Sequence, residues 1–466
     1  METPLTLAII GAGQRGKAYA RYALSHPEKC KVIAVAEPRP KTRQIMVDTH
    51  SISPSMVFES WEDFVRSSAD SIAAAITSRS ADGNLCGPGR LTDAVLVAVQ
   101  DSMHAPIVTA LAAQGYHILC EKPMATSPED CIRMTDAVKR SGTIFGIGHV
   151  LRYSPYNKDI MKIIQSRQLG DIVNIVHVEP VGYFHFAHSY VRGNWSTEKE
   201  SSFSLMTKSC HDIDILCNYL STSASKPVRV SSFGSLSHFR KAHKPMEAGA
   251  AKKCLECPIQ DVCTYSAKKI YLDPVSRGIL SWPASAITDG TPDIESVNDA
   301  LETGRYGLCV YESPNDVVDH QVVNLEFSSG QTCSFTMVAF TELICERQTR
   351  IHFTHGELIG NMETFTTTDF KALTVRPSEQ MNDGKATKLH TPVIDQMSGH
   401  GGGDIGLIAA FVQAVKEGRQ DILGITADDV LASHLTVFAA EQSRLQGRVV
   451  DVEMFEAEVR GRMAKA

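Results

Sequence analysis

Apolar runs of five to seven residues punctuate the first 150 positions: Leu5–Ile10, Lys31–Ala36, Asp93–Val99, Tyr116–Cys120 and Thr143–Gly148. Runs this short and nearly unbroken suit strands covered on both faces, because a strand with one wet face alternates apolar with polar residues. Between them, His104–Gln114 and Pro128–Ser141 repeat apolar residues at helical spacing. The alternation predicts parallel strands joined by crossover helices, an α/β domain. A polar, glycine-rich stretch from Ser78 to Thr92 reads as a surface loop.

Beyond Gly170 the pattern changes. Ile172–Val181, Val228–Ser232, Val317–Phe327, Thr332–Phe340 and Thr349–Thr354 predict an open, mainly antiparallel sheet with one covered face, and Gly406–Glu417 and Ala427–Arg444 predict helices. A loop-rich region, about 237–313, interrupts this α+β arrangement. At 466 residues the chain exceeds what one core ordinarily serves, so the change of pattern marks a boundary between domains 1–150 and 151–466.

Composition narrows the function. With 43% apolar and 21% charged residues and a net charge of −7, the chain has no basic stripe for a nucleic acid, and a small-molecule ligand fits better. No basic-then-apolar leader precedes the first strand and no apolar run reaches membrane-span length, so a cytoplasmic protein is expected. The open sheet face makes a homo-oligomer the expected assembly.

The densest chemistry lies at the start. Leu5–Ile10 runs into Gly11-Ala12-Gly13-Gln14-Arg15-Gly16 and then a helical Lys17–Leu24. Glycines at this spacing between strand and helix allow a tight turn and a close approach of backbone to a pyrophosphate, which the helix N-terminus attracts. The second strand ends in Glu37, 21 residues after Gly16, where a carboxylate would accept from an adenosine ribose. Glu37 favours NAD, whereas Arg39 and Arg15 are near enough in sequence to pair with the 2′-phosphate of NADP.

Glu121-Lys122-Pro123 follows directly on Tyr116–Cys120, at the carboxyl edge of the sheet, where ligands bind in such folds. With it come Asp101-Ser102-Met103-His104-Ala105, Gly148-His149-Val150-Leu151-Arg152-Tyr153 and Cys210-His211-Asp212-Ile213-Asp214. Over nearly its whole length the chain resembles the Gfo/Idh/MocA family of glucose–fructose oxidoreductase and inositol dehydrogenase-like enzymes. The resemblance implies an N-terminal Rossmann domain, an NAD(P) cofactor held by Gly11, Gly13, Gln14, Arg15, Gly16, Glu37, Arg39, Gln100, His104, Glu121 and Lys122, and a polyhydroxylated small-molecule substrate. It gives Lys122 a contact with substrate hydroxyl and cofactor ribose, where an ammonium would stabilise developing oxyanion character. His211 takes the family's general acid–base role, suited to a ring that titrates near neutrality.

One departure bears on mechanism. Many relatives carry an aspartate four residues before this histidine, and here that position is Thr207, followed by Lys208. Lys208 and His211, three residues apart on a helix, share a face, so Lys208 would lower the histidine's pKa or carry the proton itself. Asp214 is expected to orient or charge-tune the His211 ring. Arg152, Tyr153, His185, His188, Arg192, Trp195 and His400 are candidate substrate contacts, a hydrogen-bonding set with an aromatic wall. Three activities fit these motifs: a dehydrogenase for a secondary alcohol of a sugar, cyclitol or glycoside; a glycosidase or lyase that oxidises its substrate transiently; and a cofactor-binding regulator without turnover.

Most of the twelve cysteines sit in apolar segments, as small buried hydrophobes do. Four differ. Cys254, Cys257 and Cys263 form C-x2-C-x5-C, and Cys309 returns after another 45 residues. Four thiolates with one knuckle suit structural zinc; an iron–sulfur cluster, a disulfide pair or unligated thiols are the alternatives.

Overall fold

The computed structural model describes residues 3–82, 89–221, 224–373, 386–393 and 399–465. The chain divides into two compact units. The first is Met1–Gly148 with Ile270–Ala300 and Ile405–Leu431; the second is His149–Lys269, Leu301–Asp404 and Ala432–Ala466. The division therefore falls two residues before the expected boundary, and two later segments return to the N-terminal unit.

In the first unit six parallel strands, β1 (Leu5–Ile10), β2 (Cys30–Ala36), β3 (Val57–Phe58), β4 (Ala94–Val97), β5 (His117–Cys120) and β6 (Phe145–Ile147), form a sheet of order β3-β2-β1-β4-β5-β6. That order reverses direction between β1 and β4, the position at which such sheets open a crevice for a dinucleotide. The five expected strands are present: Leu5–Ile10 is unchanged, the second gains Cys30, and the other three lose between one and three residues at their ends. β3, only two residues long, is too short to leave a periodic signal.

The helix Pro128–Ser141 has its expected bounds because both ends are written into the sequence. Ser127 accepts from the Asp130 N–H, Pro128 opens the first turn, and Gly142 closes it in the left-handed region at φ 64°. The stretch from Ser78 does not all form a loop: the helix Trp61–Asp82 continues into it, and residues 83–88 lie outside the described residues.

The two later segments finish this unit's exposed ends. The Gln420 amide accepts from the Phe145 N–H at 3.0 Å and donates to the Phe145 carbonyl at 2.9 Å, pairing with the edge strand β6 as a further strand would. Asp289 accepts from the Thr42 N–H at 2.9 Å, capping the helix Pro40–His50, which has no side-chain cap of its own.

The second unit holds a nine-stranded sheet: β7 (Ile172–Pro180), β8 (Pro227–Ser235), β9 (His320–Phe327), β10 (Thr332–Val338), β11 (Gln348–Phe353), β12 (Gly356–Gly360), β13 (Phe365–Asp369), β14 (Thr387–His390) and β15 (Val450–Asp451). Its order is β14-β13-β12-β11-β7-β10-β9-β8-β15, and among the described pairs of this sheet β7–β10 alone is parallel. The helix Ser204–Leu220 packs on β7 and β10 and is buried over most of its length. On the opposite face, register aligns Leu389, Ile359 and Val176 along one row and Phe233 along the next, all exposed.

One helical stretch among the described residues, Gln420–Gln446, is long and apolar enough to cross a membrane, contrary to the expectation of none; 61% of its apolar window is buried inside the protein, as in a core helix.

Candidate active site

The glycine-rich turn after β1 separates into residues the fold requires and one it does not. Gly11 has φ 89°, and a Cβ there would stand 2.3 Å from the Ala98 carbonyl oxygen; at Gly16 it would stand 2.0 Å from that of Gly11. Both glycines are dictated by the chain's own packing. Gly13 is not: its φ is −70°, and a Cβ would meet only the Arg39 guanidinium, at an ordinary 3.5 Å. Gly13 is also the N-cap of the helix Gln14–Ser25, and no side chain caps that end. A missing Cβ beside uncapped N–H groups is the cradle a pyrophosphate needs, so these residues fit a dinucleotide. Gly13→Ala is expected to leave the melting temperature close to wild type and to weaken NAD binding about tenfold or more, as calorimetric titration can check. Unchanged affinity would remove Gly13 from the cofactor site.

Glu37, buried at the end of β2, grips the same turn. Its carboxylate accepts from the Ala12 N–H at 2.8 Å and from the Arg39 side chain at 2.8 and 3.0 Å. Burial alone would raise its pKa, but these bonds hold it below the usual range. Arg15, expected near a 2′-phosphate, is instead committed to Glu121 at 2.7 Å and donates to the Tyr19 hydroxyl, which itself lies 2.6 Å from Glu121. This brace ties Glu121-Lys122-Pro123 to the helix that follows the glycine turn. The other Glu121 oxygen accepts from the Lys122 N–H at 3.0 Å, so the brace fixes the Lys122 backbone. Gly148 must lack a side chain for the same reason, since a Cβ would come within 2.8 Å of the Glu121 carboxylate. His104 is likewise internal: its ring nitrogens lie 2.7 Å from the Pro123 carbonyl and 3.2 Å from that of Val99. Gln14 donates to the Ser285 hydroxyl at 2.8 Å, and Gln100 is exposed at the end of the loop after β4.

In the second unit the helix Ser204–Leu220 carries a balanced set of buried charges. Lys208 pairs with Glu179 of β7 at 2.9 Å and lies 2.9 Å from the Cys345 sulfur. Arg347 bridges Glu179 at 2.6 Å and Asp212 at 2.9 Å, and His177 stands 3.2 Å from Asp212. Burial would lower the Lys208 pKa, but attraction to Cys345 and Glu179 outweighs it and raises the value, so the ammonium is held charged. Its charge is thus answered within the network rather than aimed at His211. The His211 ring has His149 at 6.2 Å and His400 at 5.9 Å between centroids, and His400 Nδ1 lies 2.9 Å from Asp404.

Asp214 does not orient His211. Its oxygens take Arg152 at 2.6 and 2.8 Å and His149 at 2.9 Å, and a further Arg152 nitrogen donates to Asn218. Arg152 is therefore a buried ion-pair partner instead of the expected substrate contact. Burial opposes ionisation of Asp214, yet Arg152 and His149 hold its pKa well below the carboxylate range. A carboxyl so depressed contributes stability above its unfolded pKa and loses it as pH falls through the folded value. Urea unfolding is expected to show wild-type stability declining below about pH 4, and Asp214→Asn to be less stable at neutral pH with a shallower acid decline. Parallel pH curves for the two proteins would contradict the assignment.

The other candidates scatter. His185 Nδ1 lies 3.4 Å from the Cys345 sulfur and so joins the Lys208 cluster, and Tyr153 is buried, with the Lys158 ammonium over its ring. Trp195 stacks on Tyr190. His188 stacks on Tyr306, and burial lowers its pKa to about 3. Arg192, an expected substrate contact, lies among the loop cysteines and donates to the Leu308 and Tyr265 carbonyls. Glu179, Cys345 and Arg347 went unnoticed in the sequence; the one signal was a carboxylate inside the apolar run that forms β7.

Residues 5–149 match the model of an oxidoreductase family with an NAD-binding Rossmann fold, GFO_IDH_MocA. The chain is 22% identical over 314 residues to YteT of Bacillus subtilis, named as an oxidoreductase, covering 67% of this chain and 70% of that protein. It is 30% identical over 131 residues to 2,7-anhydro-N-acetylneuraminate hydratase of Escherichia coli, covering 28% of this chain and 34% of that protein. A solved levoglucosan dehydrogenase, in complex with NADH and levoglucosan, superposes with a TM-score of 0.65 at 18% identity over 96% of this chain and 99% of that one. The family match spans the first unit's Rossmann sheet, and the likeness to the solved dehydrogenase extends a shared fold over nearly the whole chain.

Proposed function

We propose that the protein moves hydride between NAD and a secondary alcohol of a sugar, cyclitol or glycoside. The observation that carries this reading is the glycine the fold does not need, Gly13, at an uncapped helix end beside the buried carboxylate of Glu37. Bound there, the cofactor would supply the hydride acceptor. Glu37 favours NAD, because its remaining lone pairs suit a ribose hydroxyl and its charge repels a 2′-phosphate. Lys122 supplies positive charge to the carbinol oxygen, His211 accepts its proton, and Lys208 acts as a fixed cation. Purified protein with NAD and a polyhydroxylated substrate is expected to accumulate NADH.

The similarity to a hydratase favours a second reading, in which oxidation is transient and acidifies a neighbouring carbon for elimination. Release of an altered sugar with no net change in NADH absorbance would select that reading. Substrate binding with neither outcome would leave only a cofactor-binding regulator.

A further inference from the structure

We propose that Cys254, Cys257, Cys263 and Cys309 hold a thiophilic metal centre, with Arg192 as its buried counter-cation. The four cysteines, separated by up to 55 positions in sequence, line one small cavity together with Arg192. Backbone bonds place them there. Lys253 and Leu308 form a β-bridge and the Cys309 N–H donates to the Lys252 carbonyl at 2.8 Å, which sets Cys254 beside Cys309. Tight turns then return Cys257, whose N–H donates to the Cys254 carbonyl, and Cys263, whose N–H donates to that of Ile259. No disulfide joins them.

Arg192 indicates what the cavity must contain. Its side chain is 1% exposed and donates to the carbonyls of Leu308 and Tyr265 and to the Cys254 sulfur at 3.3 Å, while Nη1 has no hydrogen-bond partner. Among the described residues no carboxylate pairs with it. A fully buried, uncompensated guanidinium costs several kcal/mol, and four neutral thiols would not offset it. Four thiolates around a divalent ion, or around an iron–sulfur core of the same charge, leave a net charge of about −2 beside it.

The spread of the sulfurs bears on the metal. Among the described residues the metal-capable trio with donor atoms within 4.8 Å of one another is His149, Cys210 and His434, so the four loop sulfurs stand wider than that. A single tetrahedral zinc, with Zn–S near 2.3 Å, would draw its sulfurs to about 3.8 Å apart. An iron–sulfur cluster, with several irons between the sulfurs, tolerates a wider spread, whereas a single zinc would require the cysteines to close in.

The test is elemental analysis of the full-length protein purified without chelator and under anaerobic conditions, with Cys263→Ser beside it and Cys333→Ser, outside the cavity, as control. Iron with matching acid-labile sulfide and a broad visible absorption, or a colourless protein with stoichiometric zinc, supports the centre and identifies it. In either case Cys263→Ser should lose most of the metal and Cys333→Ser should keep it. Below about a tenth of an equivalent of both metals, with the four wild-type thiols reacting with a cysteine reagent in the native state, the proposal is overturned.

Discussion

His211→Ala is expected to lower turnover by about a hundred- to ten-thousandfold while the protein remains folded and still binds NAD. His211 lies on a helix whose charges are answered elsewhere: Lys208 by Glu179, Asp212 by Arg347, Asp214 by Arg152. Removing the imidazole leaves those three ion pairs in place and, in the proposed mechanism, takes away the proton acceptor. A structural role predicts a different result, loss of stability with turnover per folded molecule preserved. The two are separated by the pH–rate profile, which should lose its histidine limb in the variant, and by added imidazole, which should restore part of the rate.

Lys122→Met is expected to lose about a hundred- to a thousandfold in turnover with little change in NAD affinity. In the proposed site the glycine turn and Glu37 would carry most of the hold on the cofactor, and Glu37 itself is fixed by the Ala12 N–H rather than by Lys122. What disappears is a positive charge on a residue whose backbone is held, through Glu121, by the Arg15–Glu121–Tyr19 brace at the end of β5. Parallel calorimetry and turnover measurements decide the matter: a loss confined to NAD binding would make Lys122 a cofactor anchor, and unchanged turnover would remove it from the chemistry.

What could be read from the sequence follows from how local each signal is. The glycine turn, Glu37 and the helix Pro128–Ser141 were legible because spacing, caps and flanking apolar runs lie within a few residues of one another. The fate of Arg152 was not: beside a histidine and a tyrosine it reads as a ligand contact, and only the fold brings Asp214 to it from 62 positions away. Arg192 was misread for the same reason, its partners arriving from the loop region. The return of residues 270–300 and 405–431 to the first unit rests on side-chain pairing such as Gln420 with Phe145, which leaves no periodic trace. Glu179 was concealed by its strand, since a single carboxylate in an apolar run discloses its importance only when Lys208 and Arg347 close on it.

Hydride transfer itself can be followed by isotope. Inositols and levoglucosan deuterated at their carbinol carbons, first screened by calorimetry for saturation of the NAD-loaded protein, would be incubated with NAD and the nicotinamide analysed by mass spectrometry. Deuterium on the nicotinamide ring with wild type, and its loss with His211→Ala and Lys122→Met, is the expected result. A ligand that saturates the NAD-bound protein yet leaves no deuterium on the nicotinamide under any condition of pH would contradict hydride transfer as its chemistry.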